Sequence, residues 1–418
     1  MRRFPNRILD AIAPTRLGRS FRWLLAAEIV SNLGDGVAIA AGPLLVASQT
    51  DDPFLVSMAL LAEYLPTLLF GVVAGTVADR FDRRLVVAAV NVVRAVVLAL
   101  LTVTIATGAV EIAVILIALF ALGTAETFVD TAGSSLVPRL VQREDLGTAN
   151  ARMEGAYLLT NQLIGPPIGA FLFAVGMALP FATNAACFAL GALLVTRVAA
   201  SATRAPDEAG EGAGFVEEMR DGLRWLAGHA PMRTLALTIF AFNITYGAAF
   251  AVLVLYASER LGLDAVGFGL LTTAVAIGGI VGTVSYGSLE RRFRLADIMR
   301  VGLVIETLTH LVLALTTSAA VALLTLSVFG AHAFVWGTTS TVVRQRAVPD
   351  AMLGRVTGIY HVALVGGLVI GTPLGGLLAS VYGITAPFWF GFIGSALLVV
   401  VLWRRFDNIV HAGEGSGG

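Results

Sequence analysis

Along most of its length the chain alternates between apolar runs of about 20 residues and short polar breaks. A run of that length crosses a ~30 Å hydrocarbon layer as one helix, because each residue adds 1.5 Å. The runs are continuous and lack the ~10-residue in–out alternation of an outer-membrane strand, which argues against a barrel. The pattern predicts twelve spans. Six fall at 22–48, 55–78, 86–107, 111–135, 154–176 and 179–198; six more fall at 234–256, 265–287, 297–316, 319–342, 356–381 and 384–403. The expected fold is an all-α membrane protein with twelve transmembrane helices.

Residues 199–232 form the only long polar stretch. Its first part, 200–214, is rich in Ala, Gly, Pro and acids and reads as a linker. Its second part, 215–228, is amphipathic: Phe215, Met219, Leu223 and Leu226 share one face, opposite Glu217, Glu218, Arg220, Asp221 and Arg224. Such a helix is expected to lie along the membrane interface as a connector. The predicted parts are therefore an N-terminal six-helix bundle (1–198), the linker with its helix (199–232), a C-terminal six-helix bundle (233–405) and a flexible tail (406–418).

The two bundles repeat each other at an offset of 207 residues. Gly75-Thr76-Val77 recurs as Gly282-Thr283-Val284, Leu146-Gly147 as Leu353-Gly354, Arg139 as Arg346, Pro166 as Pro373 and Gly169 as Gly376. Several matches in order at one spacing point to duplication. Two pseudo-symmetric bundles of this kind are expected to face each other across a cavity whose access switches by rocking.

Only 13% of the 418 residues are charged against 57% hydrophobic, and mean hydropathy is +0.84. All 28 basic residues are arginine. Without lysine the chain supplies neither a Walker-A loop nor a Schiff base, so a P-loop pump and a pyridoxal enzyme are excluded. No HExxH, Gly-x-Ser-x-Gly or EF-hand pattern occurs. Cys187 stands alone inside an apolar run, so no metal site is expected, and neither is a cofactor. A net charge of zero gives no reason to expect nucleic acid. Arginines set the orientation. They precede span one and follow spans two, four, eight, ten and twelve, whereas the loops 49–53, 106–111, 176–180 and 316–319 carry none. Arg260 is the exception. By the positive-inside rule both termini are cytoplasmic, in an inner membrane, with no cleaved leader expected.

After span two comes Gly75-Thr-Val-Ala-Asp79-Arg80-Phe-Asp82-Arg83-Arg84, a tight turn where carboxylates can meet arginines. This loop resembles the signature loop of the major facilitator superfamily. The acid at Asp82 is similar to the branch holding macrolide and multidrug exporters and the enterobactin exporter. Ser31-Asn-Leu-Gly-Asp35-Gly, Arg94 and Ala351-Met-Leu-Gly-Arg355 point the same way. The resemblance implies that Asp79 is a latch acid holding one state, with Arg80, Arg83 and Arg84 as basic partners. In the second half, Tyr286-Gly287 stands where Asp79-Arg80 would fall, so any latch is one-sided. In span five, Gly165-Pro166-Pro167 must bend the helix, since proline lacks an N–H and clashes with the turn before it. The segment resembles the Gly-Pro motif of antiporters, although Ala170 and Asn161 depart from it. A packing kink without bearing on direction is an equal reading.

Charges at bilayer depth call for a partner or a task. Glu28, Asn32 and Asp35 share a face of span one; Glu126 and Asp130 share a face of span four; Glu63 sits in span two. Depth counting puts Arg94 level with Glu126, which predicts an Arg94–Glu126 ion pair with Glu28 as competitor. The acids left over are proton-coupling candidates, because a carboxyl group without countercharge in low dielectric holds its proton. Asp35 ranks first, then Glu126, Asp130 and Glu63. In the second half Glu306 and His310 read as a structural pair, while Asn243, Tyr246, Phe250, His332 and Trp336 are expected to line the substrate cavity. The expected function is proton-coupled export of amphipathic small molecules by a monomer. Export of one siderophore or other biosynthetic product, and a non-transporting receptor or scaffold, are the rivals.

Overall fold

A computed structural model describes residues 14–134, 136–199 and 215–406. The side chains of Asp79, Ser134 and residues 215–218 are not among those described. The linker at 200–214, the tail beyond 406 and the first arginines (Arg2, Arg3, Arg7) lie outside these residues. Among the described residues every regular element is a helix. In chain order the main ones are α1 (Gly18–Ala47), α2 (Pro53–Arg80), α3 (Arg83–Ala106), α4 (Ile112–Ser134), α5 (Leu146–Tyr157), α6 (Gly165–Val175), α7 (Leu179–Val195), α8 (Phe215–Gly228), α9 (Ala230–Phe250), α10 (Ala265–Arg292), α11 (Leu295–Leu315), α12 (Ala319–Ala347), α13 (Asp350–Tyr382) and α14 (Ala386–Leu402).

Among the described residues, nine helices or helical stretches are long and apolar enough to cross a membrane. A tenth candidate is α9 together with Leu253–Arg260, bent by 41° at the break. Two shorter apolar helices, α7 and α14, stand where the sixth and twelfth spans are expected, each 17 residues long. The chain is therefore an all-helical, multi-pass membrane protein.

Packing divides it into two compact units. One comprises Met1–Gln49 and Leu65–Glu208, the other Thr50–Tyr64 and Ala209–Gly418. In the first unit α1 packs on α6 and α7, and α3 packs on α4 and α7. The polarity of α3 is inverted relative to a soluble helix. Asn91, Arg94, Leu98, Leu101 and Ile105, three and four apart, are buried, while Val92, Val93, Val96, Leu100 and Val103 are exposed. An apolar outer face with a polar residue inside is what lipid selects.

The predicted break in span five is present as a π-helical stretch, Leu158–Ile164, leading into α6. Two prolines in the first turn of α6 remove donors that a regular α-ladder would need, and the wider turn absorbs the mismatch. It also brings Gly165 against Gly36 and Gly169 against the Val37 backbone, where a Cβ would overlap main chain. In the second unit α9 and α13 meet the same way, Gly375 lying on the Ala248 backbone. The duplicated halves thus repeat a small-residue contact between the first and fifth helices.

Helix α8 has the predicted bounds, but it docks on α13 instead of lying only along an interface. Met219 and Leu226 join the core of the second unit, Gly222 sits over Arg355 and Ile359, and Leu223 is exposed. The buried stripe is therefore rotated from the predicted one. A helix with glycine in its face can approach a neighbour closely there, and apolar periodicity alone does not register that.

Candidate functional site

In the first unit the spacing of four and three on α1 does align Glu28, Asn32 and Asp35, and the Asn32 amide donates to Glu28 Oε2 at 3.1 Å. Arg94, at 3% exposure, donates from Nη2 to Asp35 Oδ1 in an ion pair. Its guanidinium also lies 3.9 Å over the Phe188 ring of α7. The expected Arg94–Glu126 pair is not formed. Equal depth fixes one coordinate only; the inward face of α3 turns Arg94 toward α1 and α7, and Asp35 meets it first.

Glu126 and Asp130 are both exposed. At about 100° per residue, Glu126 is turned roughly 180° around α4 from Ile117, which is 69% exposed. Helix α4 therefore bares two faces, one apolar and one acidic. The apolar face suits acyl chains, and an acidic face at this depth requires water or a ligand. The charges of Glu28, Glu126 and Asp130 all reach Asp35. Three of these carboxyl groups, Asp35, Glu28 and Asp130, lie within electrostatic reach of Arg94. Glu63 is half-buried in the stretch 50–64 that packs with the second unit.

The loop after α2 is a tight turn. Asp82 caps α3, its Oδ1 accepting from the Arg84 backbone N–H at 3.0 Å, and Arg84 lies 3.7 Å from Asp82 Oδ2. Arg83 donates to the Ala78 carbonyl at 2.9 Å, and Arg84 to the Val198 carbonyl at 2.8 Å. Arg80 is exposed, and a Cβ added at Gly75 would meet nothing within 4 Å. Asp79, the implied latch acid, falls where no side chain is described.

The second unit holds a different cluster. Glu306 is 0% exposed; its Oε1 is 3.4 Å from His310 Nδ1 and its Oε2 3.3 Å from His332 Nε2. The pair expected on span nine is thus a triad reaching α12. His332 and Trp336 sit in an aromatic group with Phe242 and Phe329, Trp336 stacking on Phe242 at 6.3 Å. The Tyr246 and Phe250 rings lie 4.2 Å apart, tilted by 32°, and share Phe329. Asn243 is buried: its amide donates to the Ile239 carbonyl at 2.8 Å and it packs on Gly367 of α13. Sequence reading missed Arg344, counted as a loop charge; it is buried, with its guanidinium 3.8 Å over Tyr360. The signal was present: His332, Trp336, Ser340 and Arg344 are spaced by four, one buried stripe of α12. Among the described residues no group of His, Cys, Asp and Glu could hold a metal ion.

Comparison with known proteins agrees with this architecture. The profile of a family described as transmembrane secretion effector matches residues 10–410. The multidrug efflux pump Tap of Mycolicibacterium fortuitum is 26% identical over 382 residues, covering 87% of this chain and 90% of Tap. The enterobactin exporter EntS of Shigella boydii is 25% identical over 412 residues, 93% of both chains. Among solved structures, a point mutant of the nucleoside transporter NupG superposes with TM-score 0.75 at 13% identity, over 94% of this chain and 100% of NupG. A bacterial homologue of the iron transporter ferroportin gives 0.70 at 19% identity, over 93% and 98%. These two likenesses concern the fold.

Proposed function

The chain belongs to the transmembrane secretion effector family of the major facilitator superfamily, a family of transporters, and on that premise we propose that it exports amphipathic small molecules in exchange for protons. The observation that carries the proposal is the cluster in the first unit, where Asp35, paired with buried Arg94, stands within reach of three further acids, two of them on an exposed face. A proton arriving at Asp35 cancels the charge that holds Arg94. The buried guanidinium then needs another carboxylate, and Glu28 and Asp130 both lie within its electrostatic reach. Loss of the proton restores the first arrangement. Such a two-position arginine couples protonation to a change of shape and so to alternating access.

In this reading the protein works as a monomer in the inner membrane with both termini cytoplasmic, as the arginine distribution supports. Asp79, Asp82 and the arginines beside them latch one state. Two of the relatives are named as a multidrug efflux pump and an enterobactin exporter, which supports the outward direction. In proteoliposomes loaded with a lipophilic fluorescent dye, an imposed pH gradient is expected to accelerate efflux and to be dissipated by it. Dye efflux indifferent to the gradient would sink the proton-coupled reading. The similarity to EntS favours a second reading, a dedicated exporter of one biosynthetic product. A transport screen against the host's own secreted metabolites separates the two, because only a dedicated exporter moves one metabolite and no dye.

A further inference from the structure

Helix α2 runs unbroken from Pro53 to Arg80, yet its two parts pack with different units: residues up to Tyr64 with the second, Leu65 onward with the first. Each part has its own anchors. At the start, Asp52 Oδ1 accepts from the Phe54 N–H at 2.9 Å and from Ser380 Oγ of α13 at 3.2 Å. Ser57 is fully buried against Gly376 of α13, where a Cβ would overlap Ser57 Oγ and crowd Phe54 Cα. In the later part, Thr67 Oγ1 lies 3.3 Å from Thr127 Oγ1 of α4, and the Phe70 ring meets Phe120 edge-on at 6.2 Å. Further on, Ala78 joins the core of the first unit beside Phe21 and Val87.

Between the two sets of anchors stands Pro66, buried and one residue past the point where the helix changes unit. Proline offers no N–H to the Ala62 carbonyl and its ring crowds that turn, so the helix bends most easily there. At bilayer depth such a break is costly, because lipid supplies no substitute hydrogen bond. Pro43 in α1 and Pro373 in α13 also interrupt long helices, but each lies within a single unit. In α2 the weak point falls where two separately packed bodies share one helix.

We propose that α2 is a jointed strap that flexes at Pro66. The part before Pro66 keeps its seat on α13 and the part after it keeps its seat on α4, while the joint absorbs the motion of alternating access. The use of the joint in transport rests on the export reading; its compliance does not, and the two fail separately.

The test compares the full-length protein with Pro66→Ala, which restores a stiff ladder, and Pro66→Gly, which keeps the position soft without the ring. Hydrogen–deuterium exchange of the stretch 58–70 in phosphatidylcholine nanodiscs needs no cargo. Exchange is expected to slow severalfold in Pro66→Ala and to stay at least as fast as the wild type in Pro66→Gly. In proteoliposomes, dye efflux is expected to fall severalfold in Pro66→Ala, which melts no lower than the wild type, and to remain near the wild-type rate in Pro66→Gly. The reverse order, with glycine more damaging to efflux than alanine, makes the ring a packing element and overturns the proposal. Equal exchange in all three proteins overturns it too, as does unchanged efflux in a stiffened Pro66→Ala. If exchange follows the expected order while the wild type moves no dye, the compliance stands and the export reading falls.

Discussion

The two units repeat the same small-residue contact between helices, yet they house charge in opposite ways. In the first, Asp35, Glu28 and Asp130 lie within electrostatic reach of one buried arginine, and Asp130 shares an exposed face of α4 with Glu126. In the second, the buried acid Glu306 lies between two imidazoles, and the buried arginine, Arg344, rests on an aromatic ring. A group can carry protons across a membrane only if water reaches it in at least one state. By that criterion the proton exchange proposed above belongs to the first unit, and the charges of the second unit serve its packing. Duplication conserved the helix contacts and left the chemistry free to diverge.

The sharpest way to break this contrast is to neutralise one acid in each unit. Asp35→Asn is expected to abolish efflux driven by a pH gradient and to cost about 1–3 kcal/mol in stability, because Arg94 loses its closest carboxylate and must turn to Glu28 or Asp130. Substrate counterflow, which needs no proton movement, should survive and shows that the variant is folded. Glu306→Gln, in contrast, should keep proton-driven efflux and lose only about 1–3 kcal/mol as the contacts with the two histidines weaken. The reverse outcome, with coupling lost in Glu306→Gln and kept in Asp35→Asn, would exchange the roles of the two units.

The next contrast concerns packing. Gly169→Leu drives a side chain into the Val37 backbone and is expected to cost about 3 kcal/mol, since main chain cannot move aside. Gly75→Ala meets open space and should leave thermal stability within about 0.5 kcal/mol of the wild type. A large loss at Gly75 would mean that the loop packs more tightly than the structure shows.

The fold was legible in the sequence because lipid imposes a coarse rule: one apolar run, one helix. The 158–169 break was legible because proline and glycine act locally. The charge partners were not. Counting residues places Arg94 and Glu126 at one depth but says nothing of which way each helix faces, and Asp35 is 59 positions from Arg94. His332 reaches Glu306 across 26 positions and two helices for the same reason. Arg344 was hidden by its own utility as an orientation signal. Local chemistry and periodicity can be read along a chain, whereas azimuth about a helix axis is decided by neighbours.

The smallest expected effect bears on the latch. Asp82 does two things at once: its Oδ1 caps α3 through the Arg84 N–H at 3.0 Å, and its Oδ2 lies 3.7 Å from the Arg84 guanidinium. The second unit has lost both, for α11 begins at Arg294 without a side-chain cap. Asp82→Ala removes cap and charge together and should cost about 1 kcal/mol in thermal stability. Asp82→Asn keeps the cap, since asparagine serves there as well as aspartate, and removes only a part-exposed charge that contributes little to stability. If the loop is a charge latch, Asp82→Asn slows transport while melting as the wild type does. If the loop is only a helix start, Asp82→Asn transports normally and Asp82→Ala shows no more than its stability loss. The asparagine variant thus separates a switch from a cap.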